Sequence, residues 1–173
     1  IAEGAVLRFL GVPILAVPVL SFPLTDARKS GWLPPSVNLD NKSGLELAVP
    51  YHWNIAPQRD ATLTPIAYTR RGVGLIAEGR YLEPRHGGEL QWHELPNDRV
   101  LGAERHALRW RQQGLAFGET AGDALRWGHS GERVSDDSYW KDFPRVLDSQ
   151  TPRLLSAVVH AEHDWLVSGL PTT

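Results

Sequence analysis

Residues 45–54 read Leu-Glu-Leu-Ala-Val-Pro-Tyr-His-Trp-Asn, and larger apolar side chains occupy every second position of this segment. Successive side chains of an extended chain point to opposite sides. One side would therefore carry Leu45, Leu47, Val49, Tyr51 and Trp53. The other side would carry Glu46, Ala48, His52 and Asn54. This alternation predicts a β-strand with one apolar and one more polar face.

The same alternation recurs around residues 73–81, 89–93, 108–111 and 125–127, with turn-forming groups at 40–44, 70–72, 84–88 and 96–98. This arrangement predicts a series of antiparallel hairpins. Either a soluble β-sandwich or the wall of a transmembrane barrel would give this pattern. Runs of about nine residues suit a tilted membrane-spanning strand. Aromatic residues also recur near the expected strand ends, at Trp53, Tyr68, Tyr81, Trp92, Trp110 and Trp127. These features favour the barrel.

The segment 151–166 permits two interpretations. Thr151 and Pro152 resemble the start of a helix, and the apolar pairs at 154/155, 158/159 and 165/166 fit a repeat of 3.6 residues. As a strand, the segment would have a less regular apolar face. Local periodicity therefore predicts an amphipathic helix, whereas the hairpin series predicts another strand.

The most apolar segment runs from Phe9 to Leu24 and contains Pro13, Pro18 and Pro23. It is shorter than the roughly 20 residues that a membrane-spanning helix needs, and each proline removes a backbone donor. We expect buried extended segments with bends at the prolines. The polar residues 26–30 that follow are the best candidate for a domain boundary.

The residue composition excludes several classes of protein. The chain has 173 residues, 16 Gly and 13 Pro, but no Cys and no Met, so it resembles a piece excised from a longer protein. Lack of cysteine excludes disulfides, thiol nucleophiles and cysteine-ligated metals. The net charge of −2 comes without a basic cluster, so we expect no nucleic-acid partner.

Three motifs resemble catalytic or metal-binding patterns, but each departs from the pattern it resembles. Gly72-Val-Gly-Leu-Ile-Ala77 resembles a dinucleotide fingerprint, but Pro84 follows too soon for the required helix, so a tight turn is favoured. Ser130 lacks the second glycine of a nucleophile elbow and is read as an ordinary serine at a strand end. His160 and His163 would point to opposite faces of a strand. On a helix their spacing of three would allow them to share a metal, but Zn²⁺ would still need a third and a fourth ligand.

The acidic residues Asp136, Asp137 and Asp142 lack the glycine-centred spacing of a calcium-binding EF-hand. With the three motifs above, this leaves no pattern that argues for catalysis. We therefore expect a protein that is not an enzyme and that needs no cofactor.

Several longer motifs are much more specific. Residues 50–65 read PYHWNIAPQRDATLTP, and they are preceded by FPLTDARKSGWLPPS at 22–36 and followed by AEGRYL at 77–82, LPND at 95–98 and VSDDSYWKDF at 134–143. In this order, they resemble the lipopolysaccharide-assembly outer-membrane proteins of the LptD family. The resemblance covers nearly the whole chain and is weakest after Leu147 and within 114–124.

The resemblance implies an all-β protein in two parts. Residues 1–24 would be the last strands of a periplasmic β-jellyroll, 25–30 a junction, and 31–173 the first strands of a large, incomplete outer-membrane β-barrel. Its implied role is transport of lipopolysaccharide to the outer leaflet. Its implied partners are lipopolysaccharide, a plug lipoprotein, a periplasmic bridge protein and outer-membrane lipids. A small structural barrel and a soluble β-sandwich binding module remain alternatives.

The resemblance also implies a seam in the barrel that opens sideways. Pro35 and Pro50 match the seam prolines of the family, and prolines weaken strand pairing because they cannot donate a hydrogen bond. Prolines tolerated at strand ends are the alternative. Upstream, Ile14, Val19 and Phe22 would line a conduit for acyl chains or simply form the jellyroll core.

If Gly31 enters the barrel from the periplasm, the turns at 40–44, 70–72, 97–104 and 133–152 would lie outside the cell. The turns near 55–60, 83–88, 114–124 and 162–164 would then lie on the periplasmic side. Long outer loops and short periplasmic turns are typical of such barrels. The loop at 133–152 follows this rule, whereas 114–124 is long for a periplasmic turn.

Overall fold

Antiparallel strands account for nearly all of the chain that can be described. The computed structural model describes residues 2–9, 12–20, 29–116, 125–146 and 157–163. Its elements are β1 (Ala2–Phe9), β2 (Val12–Leu20), β3 (Gly31–Trp32), β4 (Ser36–Asp40), β5 (Gly44–Ala48), β6 (Tyr51–Ala56), β7 (Arg59–Tyr68), β8 (Gly72–Leu82), β9 (His86–Asp98), β10 (Ala103–Leu115), β11 (Leu125–Val134), α1 (Tyr139–Asp142) and β12 (Ala157–His163). The all-β prediction is confirmed. Among the described residues, no helix has the length and apolar character needed to cross a bilayer.

The strands in the described part of the chain form two sheets. β1 and β2 pair with each other in a two-stranded sheet, from Ala2 opposite Leu20 to Phe9 opposite Val12. The remaining strands form a ten-stranded antiparallel sheet whose main path is β12-β11-β10-β9-β8-β7-β5-β4. β6 also pairs with β7, and β3 pairs with β6. Neighbours in this sheet are mostly neighbours in sequence, as a series of hairpins requires.

The turn between β9 and β10 lies later than the motif at residues 96–98 predicts. β9 continues to Asp98, and the turn follows at residues 99–102. The Asp98 carboxylate accepts hydrogen bonds from the N–H groups of Val100 and Leu101, at 2.9 and 3.4 Å. Gly102 supplies the positive φ of +74°. Asp98 therefore starts the turn rather than lying within it.

Residues 157–163 form a strand, so the helical interpretation of 151–166 is wrong at these positions. β12 pairs with β11 from Leu125 opposite His163 to Gly131 opposite Ala157. A free strand edge on β11 offers a complete ladder of hydrogen bonds, and this outweighs a local helical repeat. The other residues of that segment lie outside the described part of the chain.

Aromatic rings cover glycines across the central strands. Trp110 lies opposite Gly131 and Trp127 opposite Gly114 in the β10–β11 ladder. A Cβ added at Gly131 would clash with the Trp110 ring, and one at Gly114 would approach the Trp127 ring to 2.8 Å. The missing side chain makes room for the ring, and the ring covers backbone that glycine leaves bare.

The main sheet has two chemically different faces. Residues directly opposite in a ladder share a face, so the row Leu63, Ala77, Trp92 and Leu108 lies on one side. Several large apolar side chains on that side are exposed, among them Leu39, Leu63, Val73, Leu90, Trp92 and Val159.

The opposite face is polar and many of its charges are paired. The row Asp60, Arg80, Glu89 and Arg111 contains ion pairs between Arg80 and Asp60 at 2.8 Å and between Arg111 and Glu89 at 3.4 Å. The next row contains Arg109 paired with Glu132 at 2.7 Å.

The polar face becomes a small packed core at the end where α1 lies. Its buried apolar residues are Ala48, Ile66, Tyr68, Leu95, Ala107, Tyr139, Phe143 and Val146. Tyr68 was expected at a membrane interface, but it is 4% exposed and packs against Phe143 with ring centroids 5.7 Å apart. That expectation is wrong because the segment after β11 folds back over the sheet and covers Tyr68. α1 itself was not predicted.

Candidate functional site

The first hairpin of the main sheet, residues 31–56 and here called the edge hairpin, is interrupted at its prolines. β3 and β4 are separated by residues 33–35, and β5 and β6 by Val49 and Pro50. Trp32 pairs with Tyr51 and Ser36 with Ala48, so three residues of one strand oppose two of the other. This extra residue is the signature of a bulge. The hairpin therefore consists of two short ladders with a defect between them.

The structure places both predicted gate residues in this defect. Pro35 precedes β4 directly, and Pro50 lies between β5 and β6 rather than inside a regular strand. The Leu33 N–H donates to the Pro50 carbonyl at 2.8 Å, and the Val49 N–H donates to the Pro65 carbonyl of β7 at 3.1 Å. The structure thus brings Pro35 and Pro50 together. Their role in a gate stays a prediction.

The predicted conduit residues are placed only in part. Ile14 and Val19 belong to β2, and Val19 pairs with Glu3 of β1. Ile14 falls at the register shift of that ladder, between Pro13 opposite Arg8 and Leu15 opposite Leu7. Phe22 lies outside the described residues.

A second site joins the turns at one end of the sheet. Its centre is Arg105, which is 0% exposed and belongs to β10. Arg105 donates from Nε and Nη2 to the two carboxylate oxygens of Asp136, each at 2.9 Å. From Nη1 it donates to Asp142 at 2.7 Å and to Asp98 at 3.2 Å. One guanidinium therefore binds the end of β9 and two points of the segment that carries α1.

Arg71 completes this site from the turn between β7 and β8. Its Nη1 donates to Asp98 at 2.5 Å, and its Nη2 lies 3.2 Å from Asp142. Two guanidinium groups thus share Asp98 and Asp142. We refer to Arg71, Asp98, Arg105, Asp136 and Asp142 as the Arg105 cluster.

Aromatic rings surround the two guanidinium groups. The guanidinium carbon of Arg105 lies 4.9 Å from the centre of the Phe143 ring and 5.6 Å from that of Tyr139, and Arg71 lies 5.1 Å from Phe143. His93 Nδ1 hydrogen-bonds the Tyr139 hydroxyl. Stacking of this kind favours the charged guanidinium while keeping water out. The rings therefore shield the ion pairs from solvent.

Two groups of the covering segment have shifted pKa values. Burial alone would raise the pKa of Asp136, but hydrogen bonds from Ser138, Ser135 and Arg105 outweigh it and lower that pKa to about 2. Burial, followed by the nearby Tyr68, raises the pKa of Tyr139 above its ordinary value. Asp136 is therefore charged and Tyr139 neutral at ordinary pH, as their bonding requires.

Sequence reasoning missed the Arg105 cluster because its members lie far apart in the chain. In the sequence, Asp136 and Asp142 resemble candidate calcium ligands, whereas in the structure both bind Arg105. The available signal was that Arg71, Asp98 and Arg105 flank turns on the same side of the predicted hairpins. Local spacing cannot show that the segment after β11 folds back onto them.

The motifs weighed for catalysis fall in regular strands. β8 begins at Gly72, so the tight turn favoured there is confirmed. Ser130 lies inside β11, opposite Arg111 and Val158, rather than at a strand end. His160 and His163 both belong to β12, where residues three apart face opposite sides.

Of the described residues, Glu94, Glu104 and His106 are the set whose potential metal-ligand atoms come within 4.8 Å of one another. His106 Nδ1 lies 3.4 Å from a Glu104 oxygen, so part of this set is already engaged internally. Exposed acidic groups often cluster without an ion, and the set has no buried ligand. It does not identify a metal centre.

Together, these features define a class: an antiparallel β-sheet protein with one exposed apolar face, one ion-paired polar face and an interrupted edge. The chain is similar to proteins named LPS-assembly protein LptD from several bacteria. It is 50% identical to that of Acidovorax sp. over 161 residues, which cover 89% of this chain and 20% of the relative. It is 47% identical to that of Albidiferax ferrireducens over 90% of this chain and 20% of the relative. It is 40% identical to that of Cupriavidus necator over 95% of this chain and 20% of the relative.

The chain belongs to the LptD family. It spans about a fifth of the length of the curated relatives it matches. No protein-family model matches it.

Proposed function

We propose that this chain forms part of the wall of an outer-membrane β-barrel that delivers lipopolysaccharide to the outer leaflet. One observation carries the proposal: the ten-stranded sheet exposes apolar side chains on one face and paired charges on the other. A barrel wall needs this arrangement because one face meets lipid and the other faces the lumen. The family supplies the substrate, since the relatives are named for assembly of lipopolysaccharide.

The same observations weigh against the two alternatives. A soluble β-sandwich would bury its apolar face, but Val159 is 85% and Val73 69% exposed. A small closed barrel would need only a chain of about this length, whereas the relatives are about five times longer. A segment of a large barrel fits both facts.

We assign residues 1–24 to the end of a periplasmic jellyroll, 25–30 to a junction and 31–173 to the start of the barrel. The separate β1–β2 sheet and the start of the main sheet at Gly31 support this division. The jellyroll would receive lipopolysaccharide from a periplasmic bridge protein, and a plug lipoprotein would fill the barrel. The protein performs no bond-making step in this role.

The edge hairpin is one side of the proposed seam, where the first strand of the barrel would meet the last. Lipid leaves sideways where strand pairing is weakest, and Pro35 and Pro50 lie in the defect that divides the hairpin. Each missing donor removes a hydrogen bond worth about 0.5–1.5 kcal/mol net. The prolines would therefore lower the free energy needed to open this edge.

Replacement of both prolines tests the seam. In the full-length protein, Pro35→Val with Pro50→Val restores two backbone donors, and we expect less lipopolysaccharide at the cell surface. Pro96→Val is the matched control, because Pro96 is an exposed proline of β9, away from the edge hairpin. Unchanged surface lipopolysaccharide in the double variant would reject the gate.

Photo-crosslinking tests the conduit. A photoreactive residue at position 14, 19 or 22, replacing Ile14, Val19 or Phe22, should form adducts with lipid A during transport. Arg85, an exposed residue in the turn between β8 and β9, provides the negative control position. If all three positions fail to give adducts, the segment is jellyroll core rather than conduit.

A further inference from the structure

A third proline, Pro65 of β7, lies beside the defect of the edge hairpin. The Val49 N–H donates to the carbonyl of Pro65, at 3.1 Å. In an antiparallel strand the N–H and C=O of one residue point the same way. The nitrogen of Pro65 therefore faces the Val49 carbonyl, but it carries no hydrogen to donate.

The same geometry applies one strand further out. The Pro50 carbonyl accepts from the Leu33 N–H at 2.8 Å, so the nitrogen of Pro50 also faces the first strand without a hydrogen. The second strand of the edge hairpin pairs with the first strand on one side and with β7 on the other. At this position along the sheet, each of these two ladders lacks one backbone N–H donor. We call this position, formed by residues 33–35, 49–50 and 64–65, the proline level.

The proline level divides the edge hairpin into two panels. The outer panel, β4 and β5 with the turn at 41–43, joins β7 from Glu46 opposite Tyr68 to Ala48 opposite Ile66. The inner panel, β3 and β6, joins β7 from Tyr51 opposite Leu63 to Ala56 opposite Arg59.

The tip of the outer panel is held by side chains from other parts of the molecule. Lys42 Nζ donates to the Lys141 carbonyl at 2.6 Å and lies 3.6 Å from Asp142 Oδ1. Arg71 Nε donates to Ser43 Oγ at 3.2 Å. Since Arg71 and Asp142 belong to the Arg105 cluster, the tip is tied to the segment that crosses the polar face.

Lys42 also completes the charges around this cluster. Arg71, Arg105 and Lys42 supply three cations for the carboxylates of Asp98, Asp136 and Asp142. The Lys42 side chain is 51% exposed, in contrast to the buried arginines. Of these three cations, Lys42 is the one whose ion pair can break without leaving a buried charge unpaired.

We propose that the outer panel moves as a unit, with the proline level as its hinge, Pro65 as the third hinge residue and Lys42 as a latch to the α1 segment. This inference rests on the proposed function, because it states how opening of the seam is regulated. With the latch engaged the panel stays paired with β7. With the latch released it swings about the proline level while the inner panel keeps its own ladder.

Hydrogen exchange of the full-length protein, assembled with its partner lipoprotein, tests the latch without depending on transport. In Lys42→Gln we expect amides of residues 36–48 to exchange about two- to fivefold faster, as loss of a partly exposed ion pair allows. Amides of β8 should keep their rates. Lys29→Gln, at another exposed lysine, is the matched control. Equal rates for residues 36–48 in the two variants would overturn the latch.

The hinge has its own test. Pro65→Val supplies the donor that the Val49 carbonyl lacks, so exchange of residues 36–48 should become slower, and surface lipopolysaccharide should fall. Pro96→Val again serves as the control. Faster or unchanged exchange in Pro65→Val would overturn the assignment of Pro65 as a hinge residue.

A crosslink separates this inference from the proposed function. Lys42→Cys with Lys141→Cys, joined by a thiol-reactive crosslinker, should lower surface lipopolysaccharide, whereas either single variant treated with the reagent should not. Unchanged transport in the crosslinked protein would overturn the latch as a regulator, provided that Pro35→Val with Pro50→Val reduces transport. If the proline double variant also leaves transport unchanged, the seam itself is wrong.

Discussion

The edge hairpin and the central strands use the same antiparallel pairing but differ in continuity. The β7–β8 ladder runs without a shift from Arg59 opposite Tyr81 to Tyr68 opposite Gly72, and the β10–β11 ladder runs likewise from Ala107 to Leu115. The edge hairpin has two short ladders with a bulge between them. Its outer panel depends on side chains of distant segments, whereas the centre is secured by its own backbone.

This difference shows that strands of one sheet can differ in how readily they separate. Local opening follows the number of hydrogen bonds and packed contacts that must break together, so it concentrates where ladders are short. The long central ladders carry the glycine–aromatic pairs and the ion-paired rows, and they resist opening. The contrast can be tested by weakening the centre, strengthening the edge or removing the connection between them.

The largest effect is expected at Arg105, which connects the centre to the α1 segment. Arg105→Leu leaves Asp98, Asp136 and Asp142 without their shared cation, and breaking a buried ion pair costs about 3–5 kcal/mol. Arg111→Leu is the matched control, since its pair with Glu89 is exposed and is worth less than about 1 kcal/mol. Proteolysis of residues 135–146 in the folded full-length protein measures the difference. Similar protection in both variants would contradict the role of the cluster.

Acid should release the same segment through Asp136. Its pKa is lowered from its ordinary value of 3.8 to about 2 in the folded protein, so its carboxylate stabilises the fold above pH 4. That contribution, about 2 kcal/mol, is lost as pH falls from about 4 to about 2. Cleavage of residues 135–146 by an acid-stable protease should rise over this range, and Asp136→Asn should reduce the dependence. The same pH profile in both proteins would refute the assignment.

A smaller effect separates a central glycine from one at the edge. A Cβ at Gly74 of β8 would lie 2.5 Å from the Glu94 backbone carbonyl, whereas one at Gly31 meets nothing within 4 Å. We expect Gly74→Ala to destabilise by about 1–2 kcal/mol, as overpacking against backbone does. Gly31→Ala should be neutral or slightly stabilising. Gel mobility of the folded protein after graded heating compares them, and a larger loss in Gly31→Ala would reverse the picture.

Sequence reasoning succeeded where the determinants are local. Alternation of apolar and polar residues around 45–54 and 73–81 predicted the strands, because a repeat of two residues is visible in a short stretch of sequence. The motif at residues 50–65 indicated the family. The 157–163 strand was left open because its partner β11, rather than its own pattern, decides its conformation.

The Arg105 cluster could not be read from the sequence for the same reason. Arg71 and Asp142 meet only after the chain has formed four further strands and folded back, so neighbouring residues carry no record of the contact. Tyr68 is an example of an error with this cause. Its position near a strand end predicts a lipid interface, but the segment after β11 folds back and buries it. The interruption at Pro35 and Pro50 was visible, but the alignment of Pro65 with them required the register.

The pairing of charges on the polar face bears on the proposed transport of a phosphorylated lipid. Arg80 with Asp60, Arg109 with Glu132, and the three cations around the cluster with their three carboxylates cancel one another locally. In the proposed role, a phosphorylated lipid close to these paired groups would meet a weaker local field than unpaired charges would create. In the proposed transport role, such paired groups would hydrate the polar part of the lipid without offering it a single strong binding site.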